Sequence, residues 1–418
     1  MQVSPRTRVR LSRLRRRRAA GTTSAFPPGS VWWTVPASRI GRGWSHAPPE
    51  RGVAANLGRG QGDVLLLGVV ALLVALGILM VLDVTYFYGW ERYGDPFRFF
   101  RMHLISVAAG VTALIIASRV RLGVYGRVAV PAVALAVVGM LAVLSPLGVS
   151  SGGARRWMYV AGFSIQPSEV AKLALVIYLA RWLARNRDRI EEPRFGLTPP
   201  LAVAGVVAGL LLLQPDFGTA VLVGVVLITM LFVAGVPLGR LGFILLGLVL
   251  ATIGFTASKQ YRLDRLLSFL DPSKDPLGDG WQLIQSLIAF GSGGVMGLGL
   301  GESRQKMFYL PAAHTDFIFS VIGEELGFLG ALGVLALFCV LGLRGVRIAL
   351  RHADPFGRLL AFGVTALLAS EALVNTAVVL GLLPTKGLVL PFVSYGGSAM
   401  VVALASVGVL YGLSREIE

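Results

Sequence analysis

Charge is scarce in this 418-residue chain: Asp, Glu, Lys and Arg make up only 15% of it, against 55% hydrophobic residues. A soluble domain of this size needs more charge to cover its surface, so the composition excludes a soluble enzyme as the default reading. Cysteine is nearly absent. Cys339 stands alone inside an apolar run, which excludes disulfides and thiolate metal clusters. The histidines, His46, His103, His314 and His352, are scattered, and neither HExxH nor a phosphate-binding P-loop occurs. The usual zinc-hydrolase and NTPase readings therefore drop out. No tandem repeat of 20–50 residues is visible either.

What remains is grease in long runs, with a mean hydropathy of +0.72. A spanning helix needs about 20 apolar residues. Ten stretches approach that length: 64–82, 102–118, 126–146, 168–184, 199–213, 217–236, 239–257, 317–343, 359–380 and 398–413. Barrel strands would alternate and be about half as long. The expected fold is an all-α polytopic membrane protein of about ten transmembrane helices, forming one domain over 63–418. With both termini inside, basic residues in the short inner connections outnumber those in the short outer ones by two to one, the bias that positive-inside orientation predicts. The termini are then cytoplasmic and the large loop 258–316, between helices 7 and 8, is extracytoplasmic.

Residues 1–62 hold 12 Arg against one acid, Glu50. "RLRRRR" can grip nucleic acid, but a Pro/Gly-rich leader with no apolar face reads better as a disordered cytoplasmic segment touching anionic lipid. No nucleic-acid partner is expected. The leader also lacks the apolar core of a signal peptide. The informative polar stretches are the outer loops: 149–168, 258–316 and 381–397. Within the second, "WQLIQSLIAFGSGG" has the pattern of a short amphipathic helix at the interface.

Ionisable residues within or beside lipid are costly enough to be functional candidates. Glu169 and Lys172 in "QPSEVAKL" face one another at i, i+3, as a structural ion pair or as a pair whose Lys also meets a substrate phosphate. Asp216 in "QPDFGTA" suits a helix N-cap better than catalysis. Asp316 falls at the outer end of the eighth span, either as a cap or as an acid open to a lipid headgroup. Glu324 and Glu325 lie about 12–14 Å deeper if the segment is helical, where a carboxylate must accept hydrogen bonds from neighbouring helices or loop amides. Glu371, in the ninth span, calls for a buried basic partner. Lys386, near the Gly396 and Gly397 amides, is either a diphosphate ligand or an interfacial snorkeller.

Four stretches carry a resemblance: "GGARRWMYVAGFSIQPSEVAKL", "LLQPDFGTA", "WQLIQSLIAFGSGGVMGLGLGESRQKMFYLPAAHTDFIFSVIGEELGFLG" and "GLLPTKGLVLPFVSYGGSAM". Together they resemble the SEDS family (shape, elongation, division, sporulation) of peptidoglycan polymerases, over about 100 residues in family order. "PTKGLVLPFVSYGG" is more similar to division-type than to elongation-type members. Two departures stand out. Division-type members commonly read Pro-Glu-Ala-His-Thr-Asp, whereas Ala312 and Ala313 follow Pro311 here, and many carry an acid where Phe308 stands.

The resemblance implies a glycosyltransferase that polymerises lipid II, a disaccharide-pentapeptide on undecaprenyl diphosphate, at the outer face of a bacterial cytoplasmic membrane. It places Asp316 at the family's essential aspartate. One base suffices for deprotonating a sugar hydroxyl, because the diphosphate leaving group needs its charge neutralised rather than a proton. Lys386, Arg155, Arg156 and Lys172 are the candidate counter-charges. Glu169, Ser394, Gly396 and Gly397 join them on the substrate side, with Glu324, Glu325, Glu371, Asp216 and His314 in support. No cofactor is required, although a magnesium or manganese ion held by Asp316 and phosphate oxygens would serve. The implied partners are a class B penicillin-binding protein (the transpeptidase), other division or elongation membrane proteins, and membrane lipid. The rival functions are a lipid II flippase, an elongation-type polymerase and a non-catalytic scaffold for the transpeptidase.

Overall fold

The computed structural model describes residues 62–417 except 152–153, 161–162, 191, 193–195, 279 and 386. The arginine-rich leader up to residue 61 and Lys386 lie outside the described residues. The chain runs through α1 (Val64–Tyr93), α2 (Arg98–Arg119), α3 (Leu122–Leu144), β1 (Val149–Ser151), β2 (Ala154–Val160), β3 (Phe163–Ile165), α4 (Pro167–Arg185), α5 (Thr198–Leu213), α6 (Phe217–Val233) and α7 (Leu238–Ala257). It continues through α8 (Gln260–Leu270), α9 (Trp281–Gly293), α10 (Ile318–Glu325), α11 (Gly327–Arg351), α12 (Pro355–Val379) and α13 (Gly397–Ser414).

Seven helices among the described residues are long and apolar enough to cross a membrane: α1, α2, α3, α7, α11, α12 and α13. Helices α4, α5 and α6 fall where the sequence expects the other three spans. The outward faces of the long helices are apolar; Leu135 on α3 and Phe243 on α7 keep 73% and 78% of their surface exposed, which suits lipid and not water. Helix α12 is central and packs on α4, α6, α11 and α13, while α2 packs along α13.

The elements start and stop for identifiable reasons. The Asp63 carboxylate caps α1 by accepting from Leu66 N and also meets Arg344 Nε at 2.8 Å. Asp354 caps α12 in the same way, ahead of Pro355. Pro167 opens α4 at its first turn, where a missing N–H costs nothing. The first apolar run stops at 82 because Asp83 interrupts it. The helix itself continues to Tyr93, since Asp83 has a basic partner described below.

The loop 149–165 departs from an all-α plan. It folds as an antiparallel meander, β1-β2-β3, with Ser150 opposite Arg155 and Tyr159 opposite Ser164. Side chains alternate across a strand, so Arg155 is exposed while Arg156 turns inward.

The eighth span is not the single run that its hydropathy predicts. It breaks between α10 and α11, where Gly327 adopts φ +67°. The glycine-rich segment 293–299 enters this break and satisfies the freed backbone. Leu298 N and Gly299 N donate to Glu324 O and Glu325 O, and Phe328 N and Leu329 N donate to Gly294 O and Val295 O. Irregular backbone at membrane depth requires such pairing. Helix α9 packs on α10, and Ser286 Oγ joins Ser320 Oγ to the Val379 carbonyl.

Glu324 and Glu325 then fix the chain ahead of residue 316. Glu324 accepts from Arg304 N at 3.1 Å, Gln305 N at 3.3 Å and the Ser303 hydroxyl. Glu325 accepts from Ser303 N at 3.1 Å and Lys306 Nζ at 2.8 Å, and Lys306 also meets Asp83 Oδ1 at 2.7 Å. Lys306 is buried and its charge is satisfied twice.

A Cβ on Gly327 would sit 2.3 Å from Gly297 N, besides requiring a left-handed backbone. Gly327→Ala is expected to destabilise the solubilised protein by about 1–3 kcal/mol or more, seen as a lowered thermal-unfolding midpoint; Gly333→Ala, in open space on α11, should not lower it.

Candidate functional site

Residues 312–317 form a chain of turns that presents Asp316. Ala312 adopts φ +58°, and its carbonyl accepts from Thr315 N at 3.0 Å and Phe317 N at 3.3 Å. The next carbonyls in line are each held from the C-terminal third of the chain. Tyr395 N donates to His314 O at 2.9 Å. Ser394 Oγ donates to Thr315 O at 2.6 Å, and Asn375 Nδ2 to Asp316 O at 2.8 Å. The same Asn375 amide group donates to Leu388 O at 2.6 Å, tying the loop after α12 to the loop before α10. Three consecutive carbonyls are thus clamped from behind, and the Asp316 side chain projects away from them.

It projects into a cavity of about 190 Å³, lined also by Arg156, Trp157, Gln166, Glu169, Lys172, Glu371, Tyr395 and Gly396. Four elements converge here: β2 brings Arg156, α4 brings Glu169 and Lys172, α12 brings Glu371, and the loop before α13 brings Tyr395 and Gly396. Gly387 forms part of the wall. A Cβ there would lie 3.2 Å from Asp316 Oδ2 and 3.9 Å from Arg156 Nη1, so any side chain would crowd the Asp316 carboxylate.

The charges divide into two groups. Lys172 Nζ lies 2.9 Å from Glu169 Oε1 and 2.5 Å from Glu371 Oε1, and all three are buried. The lysine is doubly countered and supplies no free positive charge. Arg156 donates to Gln214 O at 3.1 Å and to Pro215 O, with Asp216 Oδ1 3.7 Å from Nη1. It fastens the β-meander to the α5–α6 corner and leaves its remaining charge toward the cavity. Asp216 also caps α6 by accepting from Thr219 N at 3.4 Å.

Asp316 titrates well above the ordinary carboxylate range, at about 7. Desolvation in the cavity is the main cause, Asp216 adds to it, and Arg156 opposes both. His314 is pushed down to about 4 by burial, so it is neutral, and its ring packs among Tyr88, Phe99 and Tyr395 at 5.4–5.9 Å. A carboxyl poised near neutrality in a small polar cavity suits proton abstraction.

Of the residues singled out from sequence, Asp316, Arg156, Lys172, Glu169, Glu371 and Gly396 share this cavity. Ser394 stands behind it in the clamp. His314 and Asp216 flank it, and Gly397 begins α13 without lining it. Glu324 and Glu325 hold the 303–306 loop, and Arg155 points the other way. Lys386 is outside the described residues. Sequence reasoning missed Trp157, Gln166, Tyr395 and Asn375. Asn375 did leave a signal, as the amide within the apolar run "ALVNTAVV".

The family model described as "Cell cycle protein" (FtsW, RodA, SpoVE) matches residues 63–418. The chain is 44% identical over 360 residues to a probable peptidoglycan glycosyltransferase FtsW of Trichlorobacter lovleyi, covering 85% of this chain and 94% of that relative. It is 39% identical over 356 residues to stage V sporulation protein E of Bacillus subtilis, covering 84% and 97%. Among solved structures it is similar to a chain of a peptidoglycan synthase complex that coordinates polymerization and crosslinking, with TM-score 0.70, 32% identity, and 85% and 98% coverage. It is also similar to the rod shape determining protein RodA of Thermus thermophilus, with TM-score 0.63, 27% identity, and 85% and 97% coverage.

Removing the Asn375 amide leaves two buried carbonyls without their donor. Asn375→Ala is expected to cost about 1–3 kcal/mol in chemical denaturation of the solubilised protein. Thr376→Ala, which removes a hydroxyl with no hydrogen-bond partner, should cost clearly less.

Proposed function

From the premise that this chain belongs to the FtsW, RodA and SpoVE family of cell cycle proteins, we infer how it acts as a peptidoglycan glycosyltransferase with Asp316 as its base. The chain is an integral membrane protein of the FtsW type, and it polymerises lipid II into glycan strands for septal wall synthesis. The observation that supports the assignment of the base is the Asp316 carboxyl, clamped through its own carbonyl and titrating at about 7 inside a polar cavity.

In this reading the acceptor sugar hydroxyl lies against Asp316. Its oxygen bonds to the anomeric carbon of the donor, and its proton passes to the carboxylate. The bond from that carbon to the diphosphate breaks, and the electron pair leaves with the diphosphate. One displacement inverts the anomeric centre and needs no second acid. Glu169 and Glu371 do not supply one, because both are held by Lys172. Arg156 is the described cation closest to the reacting centre and opposes the charge that develops there. Arg155, Ser394 and Gly397 keep only supporting parts, and Lys386, outside the described residues, stays a candidate ligand of the diphosphate.

Among the described residues no three metal-ligating side chains converge. Asp316 would hold magnesium or manganese only with substrate phosphate oxygens and water completing the shell. The active face is extracytoplasmic with both termini cytoplasmic, by the charge bias of the connections. A class B penicillin-binding protein is the proposed partner, supported by the similarity to a complex that joins polymerization to crosslinking.

Two measurements test this. Purified protein with its transpeptidase partner, given labelled lipid II, should form glycan chains, and Asp316→Asn should lower the rate by at least about 10²-fold while the thermal-unfolding midpoint holds. A wild-type rate in that variant ends the catalytic assignment; lipid II translocation that survives it favours a flippase. The pH profile follows from the signs. Ionised Asp316 is the active form, so kcat/KM should rise through about pH 7. Arg156→Gln removes the charge that lowers its pKa and should move the midpoint up, and Asp216→Asn should move it down.

A further inference from the structure

The corner between α1 and α2 carries three arginines, Arg92, Arg98 and Arg101, on the side where positive-inside orientation disfavours them. Arg98 and Arg101 also stand in the first turn of α2, the end of a helix that repels cations. Topology accounts for none of the three, and helix electrostatics accounts only for Arg92, which stands in the last turn of α1 where a cation is favoured. Arg101 has a partner in Asp95. Arg92 and Arg98 have no carboxylate partner among the described residues and rest instead on aromatic rings. The Arg98 guanidinium lies 4.5 Å from the Tyr93 ring centroid, and that of Arg92 lies 5.9 Å from Tyr88.

These rings form a continuous wall reaching the cavity. Tyr93 meets Phe99 edge-on at 5.7 Å, and Phe99 meets Tyr395 edge-on at 5.6 Å; Tyr395 lines the Asp316 cavity. Arg98 is close enough to pull against the burial that raises the Tyr395 pKa. The wall therefore joins two unlike ends. One is the proton acceptor, and the other is a pair of exposed guanidinium groups whose planar donors suit phosphate oxygens. Inside the cavity, by contrast, Lys172 is already countered twice.

Resting on the function proposed above, we propose that the Tyr93–Phe99–Tyr395 wall seats the acceptor glycolipid, with its diphosphate on Arg98 and Arg92 and its sugars leading to Asp316. Geometry selects acceptor over donor. A donor's phosphate is bonded to the reacting carbon and must lie at the cavity, which Arg98 does not line. An acceptor's diphosphate lies two pyranose rings from its reacting hydroxyl. Two ring-to-ring steps separate Tyr395 from Tyr93.

The test uses full-length protein with its partner, a donor whose acceptor hydroxyl is capped held at saturation, and lipid II as the varied acceptor. Arg98→Ala should raise the acceptor KM by about tenfold with kcat and the donor KM unchanged. Arg98→Lys should recover part of the loss, and Arg101→Ala should behave as wild type. An unchanged acceptor KM in Arg98→Ala,Arg92→Ala, or a rise in the donor KM instead, overturns the proposal while glycan synthesis by the wild type still upholds the function. A wild type that makes no glycan removes both. Equilibrium binding of undecaprenyl diphosphate to the same proteins gives a readout that does not need turnover. Wild type should bind it more tightly than phosphatidylglycerol, and Arg98→Ala should reduce that preference to what the donor site at the cavity alone supplies. Equal affinity for the two lipids in wild type would assign the arginines to bulk phospholipid and overturn the acceptor site.

Discussion

Three consecutive carbonyls, those of His314, Thr315 and Asp316, are each taken by a different donor: the Tyr395 amide, the Ser394 hydroxyl and the Asn375 side chain. Everything else at the site depends on this clamp. A loop carrying a carboxylate next to lipid would otherwise turn toward water, where the carboxylate is an ordinary acid. Held by its own backbone, Asp316 must face the cavity and lose part of its hydration. The polar groups that hold it would be costly to leave unpaired, so the clamp is made or broken as a unit.

The acids of the chain separate into a reactive one and several that build. Glu324 and Glu325 serve amides 303–305 and Lys306; Glu169 and Glu371 enclose Lys172; Asp216 caps α6 and meets Arg156. Each is neutralised or hydrogen-bonded, as burial near lipid demands. Asp316 is the exception, since its nearest charges are an opposing Arg156 and a reinforcing Asp216. That imbalance distinguishes a general base from a structural acid. The Ala312 carbonyl, not its side chain, organises the turn.

Much of this was legible in the sequence, for reasons that can be stated. Hydropathy marks helices because lipid punishes every unpaired backbone group, so the long spans and the position of Asp316 could be read directly. The i, i+3 relation of Glu169 and Lys172 is local and could be read too. Glu371 as the third member could not, because the contact joins residues 199 apart. The break at Gly327 escaped because hydropathy is blind to a backbone inserted from 293–299. Arg155 and Arg156 were indistinguishable until the loop proved to be a strand, whose alternation sends one outward. Sequence left Lys172 open between a structural ion pair and a phosphate contact, because its second carboxylate comes from a distant helix.

The account stands or falls on the ionisation of one side chain in the intact membrane protein. Infrared difference titration, comparing the native chain with Asp316→Asn, isolates the stretch of that carboxylic acid. A protonated band that disappears with a midpoint at about pH 7 is the expected result. A midpoint at about 4, the ordinary aspartate value, would mean that the carboxylate is fully hydrated and that the proposed role of the clamp is wrong.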